Sequence, residues 1–317
     1  MNRRNLKAAG VRLLQLLPVL FAITFLSFAM MRLAGSDVVL QKMERTGMVV
    51  SREMAEAARA QLGLDRPFLV QYLAWLGDLL QGDMGVSYVS GREVLPELLS
   101  RLPATLLLTA VSLALTLLIS IPLGILAAVR QNRLTDDLIR GVSFAGNSMP
   151  NFFTALLLLY FFAVRLHWFP VIAREASPRN VVLPALTLAI AMSSRYLRQV
   201  RALVLEELSR DYVAGARARG IPFGTVLFRN VLKSCLPPLI TLLALSAGSL
   251  LGGTAVVESV FMWDGVGKLA VDAIAMRDYP MIQAYVMWMA LIYVCVNFLA
   301  DLAGRVLDPR TGIGGGL

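Results

Sequence analysis

The sequence predicts an all-α, polytopic membrane protein with six transmembrane helices, and three observations carry that expectation. Long uncharged apolar runs recur along the 317 residues, which are 57% hydrophobic and 16% charged, with a mean hydropathy of +0.67. Soluble domains average about 45–50% apolar and about 25% charged residues, so both departures favour lipid as the solvent. Several runs reach the ~20 residues that a helix needs to cross a bilayer. In hydrocarbon every backbone N–H and C=O needs an internal partner, and the alternation of barrel strands is absent, so the runs are helices.

Taken in order, residues 1–12 form a cytoplasmic N-terminus and 13–33 the first span. Arg3, Arg4, Lys7 and Arg12 precede it as in a signal peptide, but its uncharged run is longer than a normal h-region and no small-x-small cleavage site follows. Leu33-Ala34-Gly35 resembles a lipoprotein box, yet Ser36 stands where the lipidated cysteine must be, so the anchor is read as retained.

The external segment 34–100 is too long for a plain connector. Met54, Ala57, Ala58, Gln61 and Leu62 share one helical face behind Ser51, a plausible cap. Leu69, Tyr72, Leu73, Leu76, Leu79 and Leu80 mark a second helix. Asp65-Arg66-Pro67 and Gly82-Asp83-Met84-Gly85 read as turns. Such a helical cap is either a membrane-surface plug or a docking surface for an external partner.

The remaining spans are 102–129, 141–166, 180–200, 234–257 and 279–302. They are joined by loops 130–140, 167–179 and 258–278 and by the cytoplasmic segment 201–230, before a tail at 303–317. The fourth span is the weakest, because its uncharged run ends at Arg195; Arg195 and Arg198 would have to snorkel to the interface.

Orientation follows from Lys and Arg in the short segments. With the N-terminus inside, the cytoplasmic pieces, taken as 1–12, 130–140, 195–233 and the tail from 301, hold 17 basic residues, and the two short external loops, 165–179 and 258–278, hold 5. Both termini are then cytoplasmic. The net charge of +9 is thereby a topology signal, since the basic residues lie between apolar runs and share no nucleic-acid-binding face. Cys235, Cys295 and the single His167 are too few for a four-ligand zinc site or a disulfide framework, and no cofactor is expected. His167 beside Trp168 reads as an interfacial residue.

The segment 201–230 is the most informative. Leu203, Leu205, Leu208, Tyr212 and Val213 give an amphipathic stretch, followed by Ala214-Gly215-Ala216-Arg217-Ala218-Arg219-Gly220 and Pro222. Little side-chain bulk lets another protein approach the backbone closely; Gly220 can supply a positive φ at a helix end and Pro222 prevents continuation. A basic interfacial helix on anionic lipid is the competing reading.

Asp211 through Gly220 resembles the cytoplasmic docking loop of the peptide/nickel class of ABC importer permeases. Arg229-Asn230-Val231-Leu232 and Leu236-Pro237 follow at that family's spacing, although Ala214 and Gly215 replace the Glu-Ala of the general importer form. Similar matches run along nearly the whole chain, at Leu62 to Pro67, Gln71-Tyr72, Leu102 to Leu106, Ser148 to Phe152, Asp278-Tyr279-Pro280 and Leu307-Asp308-Pro309-Arg310. Glu258 through Gly267 resembles a loop usually written with Trp-Pro-Gly, but Asp264 replaces the proline.

The resemblance implies a type I importer permease fold in a bacterial inner membrane. It implies as partners a second homologous permease, two ATP-binding subunits and a periplasmic solute-binding protein. Asp211, Tyr212, Ala214, Ala216, Gly220 and Pro222 would dock the ATPase. Glu258, Trp263, Gly265, Gly267, Asp278 and Tyr279 would dock the binding protein. Ser148, Met149, Pro150, Asn151, Ser249, Gly252 and Gly253 would line the route, although small faces such as that at 249–253 also serve helix packing. The chain itself is not expected to be an enzyme: Gly265-Val266-Gly267-Lys268 lacks the first glycine and the hydroxyl of a phosphate loop.

No acidic residue lies within the uncharged runs, which argues that selectivity rests with the binding protein and against an ion-coupled secondary transporter. Ser148 to Phe152 and Arg277 to Pro280 look closest to the nickel branch, making nickel or a nickel chelate the expected cargo and short peptides the second reading.

Overall fold

The structure, a computed structural model, describes residues 3–33, 65–173 and 176–307. The face at 54–62, the cap at Ser51 and the closing signature at 308–310 lie outside those residues. Among the described residues the regular structure is helical, apart from a single bridge between Val86 and Glu93. Two compact units emerge, one of residues 1–101 and 269–294, the other of 102–268 and 295–317.

In the first unit, α1 (Arg3–Leu33) packs against α2 (Phe68–Leu80). The expected second helix and both turns are present, Gly82 and Gly85 adopting φ of 86° and 78°. Phe25 and Phe28 meet Phe68 and Tyr72 edge-on, at centroid distances of 5.4 to 5.7 Å. The Thr24 and Tyr72 hydroxyls share a buried hydrogen bond of 2.9 Å. Tyr72 therefore buries an apolar ring without orphaning its OH.

The second unit is built round α6 (Val182–Leu208), which packs against α4 (Leu134–Ser148), α5 (Asn151–Leu158, continued by a π-wound Leu159–Arg165), α9 (Leu232–Gly253) and α10 (Ala255–Phe261). Small residues make this possible. A Cβ on Gly146 would come within 2.5 Å of Ser194 Oγ, and one on Gly124 of α3 (Val94–Val129) within 2.7 Å of Val200. At one end of α6, Arg201 forks onto buried Asp136, with Nε–Oδ1 2.8 Å and Nη2–Oδ2 2.7 Å. The N–H of Asn132 donates to the same carboxylate, tying the α3–α4 turn to α6. Asp136 and Arg201 are invisible as a pair in the sequence, because 65 residues separate them.

The expected third span is bent. It is not one straight helix over 141–166: α4 starts at Leu134, inside the supposed cytoplasmic loop, and the chain turns through 102° before Asn151–Arg165. Pro150 is the cause. It disfavours helical backbone in the residue before it, and Met149 is extended at φ −86°, ψ 130°.

Among the described residues, three helices are long and apolar enough to cross a membrane: Val94–Val129, Phe223–Gly253 and Tyr279–Val296. The bent pair makes a fourth. The expected spans at 13–33 and 180–200 fail that test, the first because its described apolar stretch is only Pro18–Leu33. The second is α6, in which Arg195, Arg198 and Arg201 interrupt the apolar sequence.

Candidate functional site: the docking helix and the external loop

The chain emerges from α6 at Ser209, and Asp211–Ala218 forms α7. Asp211 starts it with negative charge at the positive end of the helix dipole, and Arg217 ends it with positive charge. Val213 and Ala216 are buried with Val200, Val204, Val226 of the short α8 (Phe223–Val226), Leu227 and Val231, and this anchors the helix. Asp211, Tyr212, Ala214, Gly215, Ala218 and Arg219 are exposed. Ala216, expected among the docking residues, faces the core and fixes the helix. Gly220 closes the helix at φ 77°, its N–H bonded to Arg217 O at 2.9 Å while Ile221 N–H reaches back to Ala216 O. Nothing lies within 4 Å of the Cβ positions of Gly215 or Gly220, so the ridge is sterically open. Tyr212 donates to Glu207 Oε2 at 2.9 Å, and burial, then that carboxylate, pushes its phenol above the ordinary value. Arg217 lies over the Phe223 ring at 5.8 Å.

The external loop is organised by one carboxylate. Glu258, in α10, is fully buried. Its Oε1 accepts from Thr105 Oγ at 2.9 Å and Thr254 Oγ at 3.0 Å, while its Oε2 accepts from the Lys268 N–H at 2.9 Å. The Gly267 N–H is a further donor. Thr105 Oγ also accepts from the Val266 N–H at 2.8 Å. Glu258 thus caps the first turn of α11 (Val266–Ala275), satisfying N–H groups that a helix leaves unpaired. Burial raises the carboxyl pKa against these hydrogen bonds, which lower it. Gly265 and Gly267 are required by contact: a Cβ would stand 2.4 Å from Glu258 Oε2 at the first and 2.7 Å from Ala255 Cα at the second. Trp263, also fully buried, donates from Nε1 to Ala104 O at 3.1 Å.

In the other unit, Asp278 precedes α12 (Tyr279–Leu307) and accepts from the Ser87 hydroxyl and from the Tyr88 N–H. Glu258, Trp263, Gly265, Gly267 and Asp278, expected to dock a binding protein, are all buried. They hold the loops in shape. The exposed residues nearby are Ile274, Ala275, Met276 and Arg277, beside a half-buried Tyr279.

The expected route residues sit where helices break. Ser148, Pro150 and Asn151 are exposed and Met149 half-buried at the bend; Ser249, Gly252 and Gly253 are exposed on α9. The Ser148 and Ser249 hydroxyls donate to carbonyls one turn back, at 2.9 and 3.2 Å, so both faces are smoother than their composition suggests. Thr105, Ser87 and the Asp136–Arg201 pair were missed. Only Thr105 left a trace in the sequence, inside a recognisable motif.

Residues 120–313 match the model of the family described as binding-protein-dependent transport system inner membrane component, and 6–109 match the model of its N-terminal part. The chain belongs to this family. As such it is a multi-pass inner-membrane permease subunit of an ABC importer. The oligopeptide transport system permease protein AppB of Bacillus subtilis is 39% identical over 94% of this chain and 97% of its own. The glutathione transport system permease protein GsiC of Escherichia coli K12 is 36% identical over 94% and 96%. The methionine ABC transporter MetNI, solved in inward-facing conformations, has a chain superposing with a TM-score of 0.56 at 18% identity, over 67% of this permease and 96% of that chain. It supports the type I importer permease fold. Neither sequence relative is named for nickel, so the nickel expectation finds no support, and the peptide reading fits the comparisons better.

Proposed function

We propose that this permease forms half of a translocation pathway for short peptides, delivered by an external binding protein and driven by two ATP-binding subunits. The observation that carries the cargo is the pair of relatives named for oligopeptide and glutathione transport, each matched over 94% of the chain. Glutathione is itself a tripeptide. The absence of acidic side chains in the uncharged runs agrees, since a metal-selective channel needs oxygen, nitrogen or sulfur ligands at depth.

In this reading a second, homologous permease completes the route past Ser148–Asn151 and Ser249–Gly253. The open ridge of α7 seats in the ATPase, and rigid-body rocking of α6 carries nucleotide-driven closure to the route. Exposed Ile274 to Arg277 face the binding protein, on loops that Glu258 and Asp278 stiffen.

Deleting the gene and measuring uptake of a labelled dipeptide and of radiolabelled nickel, each at low concentration, tests this. Dipeptide uptake is expected to fall and nickel uptake to persist. Restoring the gene recovers uptake, but restoring it with Gly220→Trp does not. Loss of nickel uptake alone would overturn the cargo. Full activity of the Gly220→Trp form would overturn the docking assignment.

A further inference from the structure

The first unit contains a cavity of about 290 Å³ between the ends of α1 and α12 and the α2 helix, which the transport reading does not use. Two buried donors on its wall lack hydrogen-bond partners: Arg32 Nε and Gln283 Nε2. Gln283 is only 4% exposed, and the Arg32 guanidinium lies over the Phe28 ring at 5.3 Å. Buried donors left unpaired are costly, so the site is built for an acceptor-rich group. Arg32 and Arg66 on the wall are balanced by Asp78 and Asp83, so the complementary ligand carries both signs. Phe28 and Trp75 supply apolar wall.

Its surroundings indicate what carries that zwitterion. Leu26, Met30 and Leu33 of α1 are exposed by 59%, 69% and 85%, and Leu69, Leu73 and Leu80 of α2 by 61%, 63% and 81%. These flanking apolar side chains suit acyl chains, and an amphipathic helix of this kind lies along a membrane interface. We propose that the cavity is a binding site for the headgroup of a zwitterionic phospholipid with a primary amine. Arg32 and Gln283 hold the phosphate, Asp78 or Asp83 receives the ammonium, and the acyl chains run over the leucine faces. A bound lipid would fix the outer end of α1 against α2.

The test uses the full chain purified with its partner subunits and stripped of lipid. Native mass spectrometry counts retained lipid after addition of phosphatidylethanolamine or phosphatidylglycerol. Phosphatidylethanolamine is expected to be retained in preference. Arg32→Gln with Gln283→Leu should lower its retention about tenfold or more, as loss of charge-assisted hydrogen bonds predicts, and Asp78→Asn with Asp83→Asn should erase the preference over phosphatidylglycerol. A measurement on the unaltered protein guards against misfolded variants: short-chain phosphatidylethanolamine should raise its melting temperature, and equal concentrations of inorganic phosphate or dialanine should not. Equal retention of both lipids by the unaltered protein, or unchanged retention by the Arg32/Gln283 variant, overturns the proposal. A thermal shift given equally by dialanine or by phosphate overturns the lipid as ligand.

Discussion

Glu258 joins three segments through four donors, two hydroxyls and two N–H groups. The hydroxyls of Thr105 and Thr254 can turn to other acceptors, but the N–H groups of Gly267 and Lys268 cannot. Glu258→Ala should therefore cost about 2–6 kcal/mol, two stranded donors at about 1–3 kcal/mol each, read as a lower melting temperature of the purified complex. The pH dependence has a definite sign. Burial raises the folded carboxyl pKa above its unfolded value, so between the two the folded state binds more proton and stability falls as pH rises. That window opens near the ordinary glutamate value of about 4.3. The non-titrating Glu258→Gln variant should lack this slope, so the unaltered protein should lose melting temperature relative to it as pH increases. Parallel profiles would mean that the hydrogen bonds hold the carboxyl at its ordinary value.

At the scale of elements, α7 shows what a helix of eight residues needs in order to serve as a contact. Alone it would not persist, since isolated helices shorter than about 12–15 residues are marginal. Val213 and Ala216 hold it by burial, and the rest of its surface is free for a partner. Gly215→Leu projects into open space and exchanges a poor helix former for a good one. The folded chain should keep its stability to within about 0.5 kcal/mol, while peptide-stimulated ATP hydrolysis of the assembled transporter collapses. Ala216→Leu should do the opposite first, overpacking the cluster beneath at a cost of about 1–3 kcal/mol. Much of this element was legible: the small residues, Gly220 and Pro222 mark a short, open helix with a sharp stop. Which alanine faces inward was not, because with Ala at 214, 216 and 218 hydrophobicity is the same on every face. The bend at 149–150 was half legible, since Pro150 predicts a break but gives no angle. The buried carboxylates escaped because their partners, Thr105 for Glu258 and Arg201 for Asp136, are 153 and 65 residues away in sequence.

For the whole chain, topology turns on α6. Its 27 residues are long enough to span, but Arg195, Arg198 and Arg201 lie in its second half, and the apolar segment Val182–Ser194 is too short by itself. Packing changes that balance. Twelve residues of α6 are buried against its neighbours, Tyr196, Leu197 and Val200 among them, so this helix is shielded from lipid and does not need a fully apolar surface. Arg201 is neutralised by Asp136 at 2.7 Å, and Arg195 and Arg198 are exposed near the same end, as cytoplasmic anchors would be. If α1 and α6 both cross beside the four candidate spans, the number of spans is six and the C-terminus returns to the side of the N-terminus. Alkaline phosphatase fused after Arg179 should then be active, and a fluorescent protein fused after Ser209 or at the C-terminus should fold in the cytoplasm and fluoresce. An inactive phosphatase fusion together with a fluorescent one at Ser209 would place both ends of α6 in the cytoplasm. The 17-to-5 distribution of basic residues would then need a different assignment of sides, and the expectation of six spans would fall.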